Sequence, residues 1–301
     1  MKHQPWQWMR SLLVLLITSY GLACLGLFVY QRHLIFHPTS TMARLPSAEG
    51  FKLPYEDVWI TIPGSRDRLH AWWLPSPAPQ ETIATLPDEP VRVLRSPKVL
   101  VFLCGAGGNK SNYLARIEGL RQLGFAVFVA DYRGYGKSEG SFPNEAQLYA
   151  DSELIWNYLT QTRQIAPNQI VLYGESLGGA IAIHLATKHP NAKGLIVQSS
   201  FTSMASVAKR RPPLGLFLIH ALLTERFDSL TKVRSLQTPV LFIHGKADAL
   251  VPVEMSQQLY DATTSAKRLH LIPNAEHVRI YQPGDASYLK AIARFVVEML
   301  N

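Results

Sequence analysis

Positions 11–31 form an unbroken run with no Asp, Glu, Lys, Arg or His. As a helix rising about 1.5 Å per residue, 21 residues measure about 30 Å, the thickness of a bilayer hydrocarbon core. Arg10 precedes the run and Arg32 follows it; Trp6, Trp8 and Tyr30 fall near its ends, where aromatic side chains settle at membrane interfaces. A cleaved signal peptide is the competing reading. Its apolar core would run about 7–15 residues and end at a small-x-small site. No Ala-x-Ala occurs here, and Gly21-Leu22-Ala23-Cys24 places Leu where a lipoprotein-type site prefers a small residue. The pattern predicts a retained signal-anchor: a single span within residues 1–31, then a folded domain over 32–301. Lys2 and Arg10 lie before the span, and Arg32, Arg44 and Lys52 after it. Basic residues thus nearly balance, and the orientation leans to an inside N-terminus and an extracytoplasmic domain.

Beyond the span the pattern changes period. Asp57–Ile62 reads as a strand, Pro63-Gly64-Ser65 as a turn, and Leu69–Leu74 as the returning strand of a hairpin. Residues 75–97 are Pro-rich with few apolar anchors, a surface insertion. Then come continuous apolar runs at 98–103, 125–130, 169–173, 194–198 and 239–244, and a shorter one at 268–272. Uniformly apolar strands are those buried on both faces. Helix-period stretches separate them, at 109–123, 144–161, 177–189, 254–265 and 285–300. The expectation is an α/β fold, a mostly parallel sheet with helices on both faces. Ligands bind such sheets beyond the carboxyl ends of the strands. Between 200 and 238 the alternation lapses, where a cap belongs. There Lys209-Arg210-Arg211 precedes Pro212-Pro213 and the apolar run Leu214–Leu223. Two readings stand: a buried cap helix, or a membrane-facing lid whose basic cluster meets anionic headgroups.

Composition narrows the partners. The 301 residues are 47% hydrophobic and 17% charged, which excludes a disordered or collagen-like chain. No 20–50 residue repeat marks a solenoid or propeller. A net charge of +8 invites nucleic acid or an anionic membrane. The Lys and Arg are scattered with no readout motif, so the membrane is expected and nucleic acid is not. Two cysteines exclude a disulfide scaffold or Cys-rich zinc module. Cys24 in the span and Cys104 past a strand do not pair.

The chemistry lies after the strands. Gly174-Glu175-Ser176-Leu177-Gly178 matches G-x-S-x-G, with a strand before it and a helical run after it. Small flanking residues let strand and helix close on a sharp turn that lifts the serine above the sheet. A serine hydroxyl needs a base, and the base needs an orienting acid. Asp248 follows the strand 239–244, and His277 follows the strand 268–272. Both fall on the edge that carries Ser176. His244 and His270 lie within or at the end of strands, and His184 and His189 on the helix after the serine. Asp228 and Asp261 sit within or beside helices. Two backbone amides must face the developing oxyanion. Leu177 follows the nucleophile; Ala106 lies in the loop Cys104–Asn109 after an early strand. That loop is not a dinucleotide fingerprint, because Lys110 stands where the third glycine belongs. Asp131 and Arg133, in Asp131–Ser138, are expected to fix their loop rather than touch substrate.

Taken in order, Cys104–Asn109, Asp131–Ser138, Gly174–Gly179, His244–Asp248 and Asn274–His277 resemble the α/β-hydrolases. The segment Gln31–Pro38 just after the anchor is similar to the membrane-anchored α/β-hydrolase-domain branch, which includes protein depalmitoylases. One departure is Cys104-Gly105 where relatives have His-Gly. A backbone amide does not need that side chain, and Cys104 is expected as a small buried hydrophobe. The resemblance implies a small helical cap and a serine hydrolase acting on a carboxylic ester or thioester, including lipid or acyl-protein substrates, without metal or organic cofactor. A serine aminopeptidase is the alternative within enzymes. A non-catalytic membrane-tethered binding module is the alternative outside them, and the intact Ser, His and Asp set argues against it.

Overall fold

Eight strands make one sheet: β1 Glu56–Thr61, β2 Arg68–Leu74, β3 Val99–Leu103, β4 Ala126–Ala130, β5 Ile170–Glu175, β6 Gly194–Gln198, β7 Val240–Gly245 and β8 Lys267–Ile272. The computed structural model describes residues 4–77, 83–86, 89–92, 98–282 and 286–300. Across the sheet the order is β8-β7-β6-β5-β3-β4-β2-β1. Only β2 runs against its neighbours, pairing antiparallel with β1 and β4. Every residue of β3 to β7 is buried. That is why these runs show no alternation in sequence: both faces are covered. At the edge, β1 alternates, with Val58 and Ile60 inward.

The helices are α1 Gln4–Ile35, α2 Leu114–Gln122, α3 Glu145–Asn157, α4 Leu177–Lys188, α5 Met204–Lys209, α6 Ile219–Leu222, α7 Ser229–Val233, α8 Val253–Ala262 and α9 Ala286–Met299. On one face α4 packs between α3 and α7. On the other, α2 meets α9, where a Cβ on Gly119 would stand 3.4 Å from Leu289. Asn144 begins α3 by accepting the Gln147 amide at 2.9 Å, a cap contributing about 1 kcal/mol.

Three features depart from the pattern. First, α1 is longer than the uncharged run and apolar enough from Trp6 to Ile35 to cross a membrane. Between those residues only Cys24, Leu27, Gln31 and Ile35 are covered, a single stripe at helical spacing. Second, the insertion 75–97 carries an antiparallel hairpin of its own, Ile83–Leu86 with Glu89–Arg92, separate from the main sheet; its other residues from 78 to 97 lie outside the described set. Third, the run 214–223 is not the buried cap helix of one reading. It breaks into a 3₁₀ turn, Leu214–Leu216, and the short α6. Leu216 is 78% exposed and Leu218 68%, while Ile219 is buried. Its apolar residues face every direction, but α1 and α5 cover one side only.

Candidate active site

The elbow is built by close approach. Between β5 and α4, Ser176 takes φ 53°, a left-handed conformation costly for a side chain. A Cβ on Gly174 would stand 2.1 Å from the Gly178 oxygen, and one on Gly178 would stand 2.1 Å from the Leu103 oxygen. Only glycine fits either place. The strained turn is held by the Ser176 N–H donating to the Gln198 carbonyl at 2.8 Å and by the Ser200 hydroxyl donating to the Ser176 carbonyl at 2.8 Å.

Three expected side chains meet. His277 Nε2 lies 3.1 Å from Ser176 Oγ, and His277 Nδ1 lies 2.6 Å from Asp248 Oδ2. The other Asp248 oxygen accepts the Leu250 and Val251 amides at 2.9 and 2.8 Å. The sequence reading placed His244 at a strand end and gave it no chemical part. Its Nε2 faces Asp248 Oδ2 at 3.1 Å and the Val251 carbonyl at 2.8 Å. Two acceptors at one nitrogen put the proton on Nε2, leaving Nδ1 to accept from the Ser256 hydroxyl at 2.6 Å. Burial pushes the Asp248 carboxyl up; hydrogen bonds from His244, His277 and the Val251 amide outweigh it and hold the group well below the usual carboxylate range. Asp248 is therefore an anion whose lone pairs are committed, and His277 Nδ1 is held as a donor.

The loop Cys104–Asn109 is fixed from several sides. Tyr113 Oη accepts the Gly105 N–H at 3.1 Å, and the Tyr135 hydroxyl donates to the Ala106 carbonyl at 2.9 Å. His37–Pro38, just past α1, pairs parallel with Gly107–Gly108. The Asn109 amide group donates to the Thr39 and Thr41 carbonyls at 3.0 and 2.8 Å. The loop passes close to the nucleophile: a Cβ on Gly105 would stand 3.8 Å from Ser176 Cβ. Cys104 is buried, and burial raises its thiol well above the ordinary range, which suits a packing role rather than a reactive one.

Asp131 and Arg133 fix their loop, as expected. Asp131 accepts from Lys110 Nζ at 2.5 Å and from the Lys110 amide at 2.7 Å, and Arg133 pairs with Asp151. Lys110 Nζ also lies 2.6 Å from His70 Nδ1, whose other nitrogen meets Asp57 at 2.6 Å. The remaining candidates are structural. His184 stacks on Tyr149 at 3.8 Å, His189 meets Glu153 at 2.7 Å and Asp228 caps α7. Sequence reasoning also missed the buried pair of Arg116 and Glu175, which lines the cavity beside Ser176. A charged residue inside G-x-S-x-G was the available signal.

Ser176, His277, Ala106 and Leu177 all open on one cavity of about 590 Å³. Its far wall is apolar, and part of it comes from α1: Leu27, Leu34 and Ile35, with Gln31 among them. Leu214, Leu222 and Leu223 of the cap face them. Lys209, Arg210 and Arg211 are exposed, and Arg211 lines the same cavity.

Comparison with known proteins shows the family and the fold. A family model described as serine aminopeptidase, S33, matches residues 95–232 and 217–282. The protein bem46 of Schizosaccharomyces pombe is 32% identical over 301 residues, covering 96% of this chain and 92% of its own. An uncharacterized membrane protein of Saccharomyces cerevisiae, YNL320W, is 29% identical over 304 residues, covering 97% of this chain and 98% of its own. Among solved structures, the Pyrococcus furiosus esterase Pf2001 superposes with a TM-score of 0.68 at 20% identity, over 88% of this chain and 100% of the esterase.

Proposed function

The chain belongs to the serine aminopeptidase S33 family of α/β-hydrolases, and on that premise we propose that it is a membrane-anchored serine hydrolase cleaving a carboxylic ester or thioester. The observation carrying this reading is the line Asp248–His277–Ser176 at the inner end of an apolar cavity. Ser176 Oγ attacks the carbonyl carbon while His277 Nε2 takes its proton. The Ala106 and Leu177 amides receive the oxyanion. Its collapse breaks the bond to the leaving alcohol or thiol, which departs with the proton from His277. Water then attacks the acyl-enzyme with His277 again as base, releasing the carboxylic acid and Ser176. Asp248 stabilises the imidazolium throughout, and His244 holds Asp248.

A fluorophosphonate probe tests the reading. It is expected to label the wild type and not Ser176→Ala, with ester turnover falling about a millionfold in the variant. A folded wild type that stays unlabelled overturns the reading and favours a tethered binding module. The family's description supports a second reading, an aminopeptidase; faster release of amino-acid amides than of acyl esters would establish it. We further propose that α1 spans the bilayer with the catalytic domain on the extracytoplasmic side. Protease added outside intact cells is expected to remove the domain.

A further inference from the structure

Residues 214–223 climb along the outside of α1. At one end Gln31 joins the two: its Oε1 accepts the Thr224 N–H at 2.7 Å and the Thr224 hydroxyl at 3.0 Å, and its Nε2 reaches the Leu222 carbonyl at 3.3 Å. Eleven residues earlier, the Tyr20 ring stacks on Phe217 at 5.4 Å and its hydroxyl donates to the Leu216 carbonyl at 3.4 Å. Eleven helical residues rise about 16 Å. Tyr20 lies near the centre of the uncharged run 11–31, so Phe217 stands beside the middle of the span and not at its end. Leu16 and Ile17, a turn deeper, still share a recess with Phe217.

This placement suits hydrocarbon and not water. Leu216 and Leu218 stand free beside a helix face that is itself apolar. Irregular backbone survives at membrane depth only where its polar groups are paired. Four of the six amides from Leu214 to Ile219 are paired within the tip: Leu214 donates to the Arg211 carbonyl, Leu216 to Pro213, Phe217 to Leu214 and Ile219 to Phe217, at 2.7 to 3.0 Å. Pro212 and Pro213 have no N–H to leave unpaired. At the foot of the tip, Lys209, Arg210 and Arg211 are exposed, on side chains long enough to carry their charge away from apolar surroundings toward anionic groups. Below the tip the cavity runs between α1 and the cap down to Ser176.

We propose that the cap tip, Leu214–Leu218, is inserted in the bilayer against α1, and that the cavity between them admits the acyl chain of a lipid ester from the leaflet directly to Ser176. The substrate half rests on the serine-hydrolase reading; the insertion does not.

Two measurements on the full chain in phosphatidylcholine–phosphatidylglycerol vesicles test it. Leu216→Cys in a Cys24→Ala background carries a nitroxide, Cys104 being buried. Its collision ratio of oxygen to a water-soluble nickel chelate is expected to exceed fivefold that at Gln237→Cys, an exposed position on the catalytic domain. Equal ratios overturn the insertion. In the second, Leu216→Asp/Leu218→Asp is expected to lose at least tenfold on p-nitrophenyl palmitate dissolved in the bilayer and to stay within twofold on p-nitrophenyl acetate. Equal loss on both esters, or no loss, overturns the portal. A wild type inserted by the spin-label criterion yet inert on both esters overturns the hydrolase reading and the portal with it, while the insertion stands.

Discussion

His244 and His277 grip one carboxylate from two sides, and only one of them was legible as a functional residue. Ser176, Asp248 and His277 each follow a strand in a recognisable order, so chain position alone points to them. His244 lies inside an apolar run, and hydrophobic patterning reports that a residue is buried without reporting which polar group it meets. The pair of Arg116 and Glu175 was half legible, since Glu175 is a charge inside G-x-S-x-G while its partner lies on a helix 59 residues earlier. Another histidine gives a pH dependence. Burial, then the charges of Lys232 and Lys188, lower His184 from the ordinary 6.5 to about 4. It is neutral in the fold, whereas the unfolded chain begins to take up the proton near 6.5. Stability from this group is therefore complete above that value and lost as the pH falls toward 4. His184→Phe keeps the stack on Tyr149 and removes the titration. Its melting temperature in detergent micelles is expected to fall less than the wild type's between pH 7 and 4; an unchanged slope would place the acid sensitivity elsewhere.

At the scale of elements, the buried strands were readable to within a residue or two because a fully apolar run has few other uses. The elbow was readable because its glycines are sterically required. Adding one methyl at Gly178 meets the Leu103 carbonyl, and such overpacking costs about 3 kcal/mol. Gly178→Ala is thus expected to melt well below the wild type and lose probe labelling. Gly107→Ala, whose Cβ would meet nothing within 4 Å, is expected to melt with the wild type. A scan in which both variants melt alike would contradict the close approach. The cap was read least well, for a physical reason. Apolar residues on every side of a short segment announce that water is unwelcome, and the sequence does not say whether protein or lipid replaces it. The broken 214–223 run is covered by α1 and α5 on one side, and what covers the other is the subject of the proposed insertion.

At the scale of the whole molecule, patterning divides the chain at residue 31, between a span and a domain. In the structure α1 runs on to Ile35, Phe36 is buried in the core, and His37–Pro38 is already paired with the loop that carries Ala106. Among the described residues, no linker separates α1 from the loop that carries Ala106. Gln31 is where this shows in the sequence, as an uncharged polar residue closing an apolar run, yet its partners at Thr224 and Leu222 lie too far along the chain to be inferred.

The missing linker has a kinetic consequence. With Phe36 packed and His37 paired, the active site has no tether on which to swing away from α1, and under the proposed membrane-anchored reading its encounters with a bilayer-borne ester take place by diffusion in a plane. Its working concentration is then a mole fraction and not a molarity. Adding buffer to a suspension of loaded vesicles is expected to leave turnover per enzyme unchanged. Blending inert phospholipid into the same vesicles is expected to lower it in proportion, as sparser neighbours reach a site that waits for them in two dimensions.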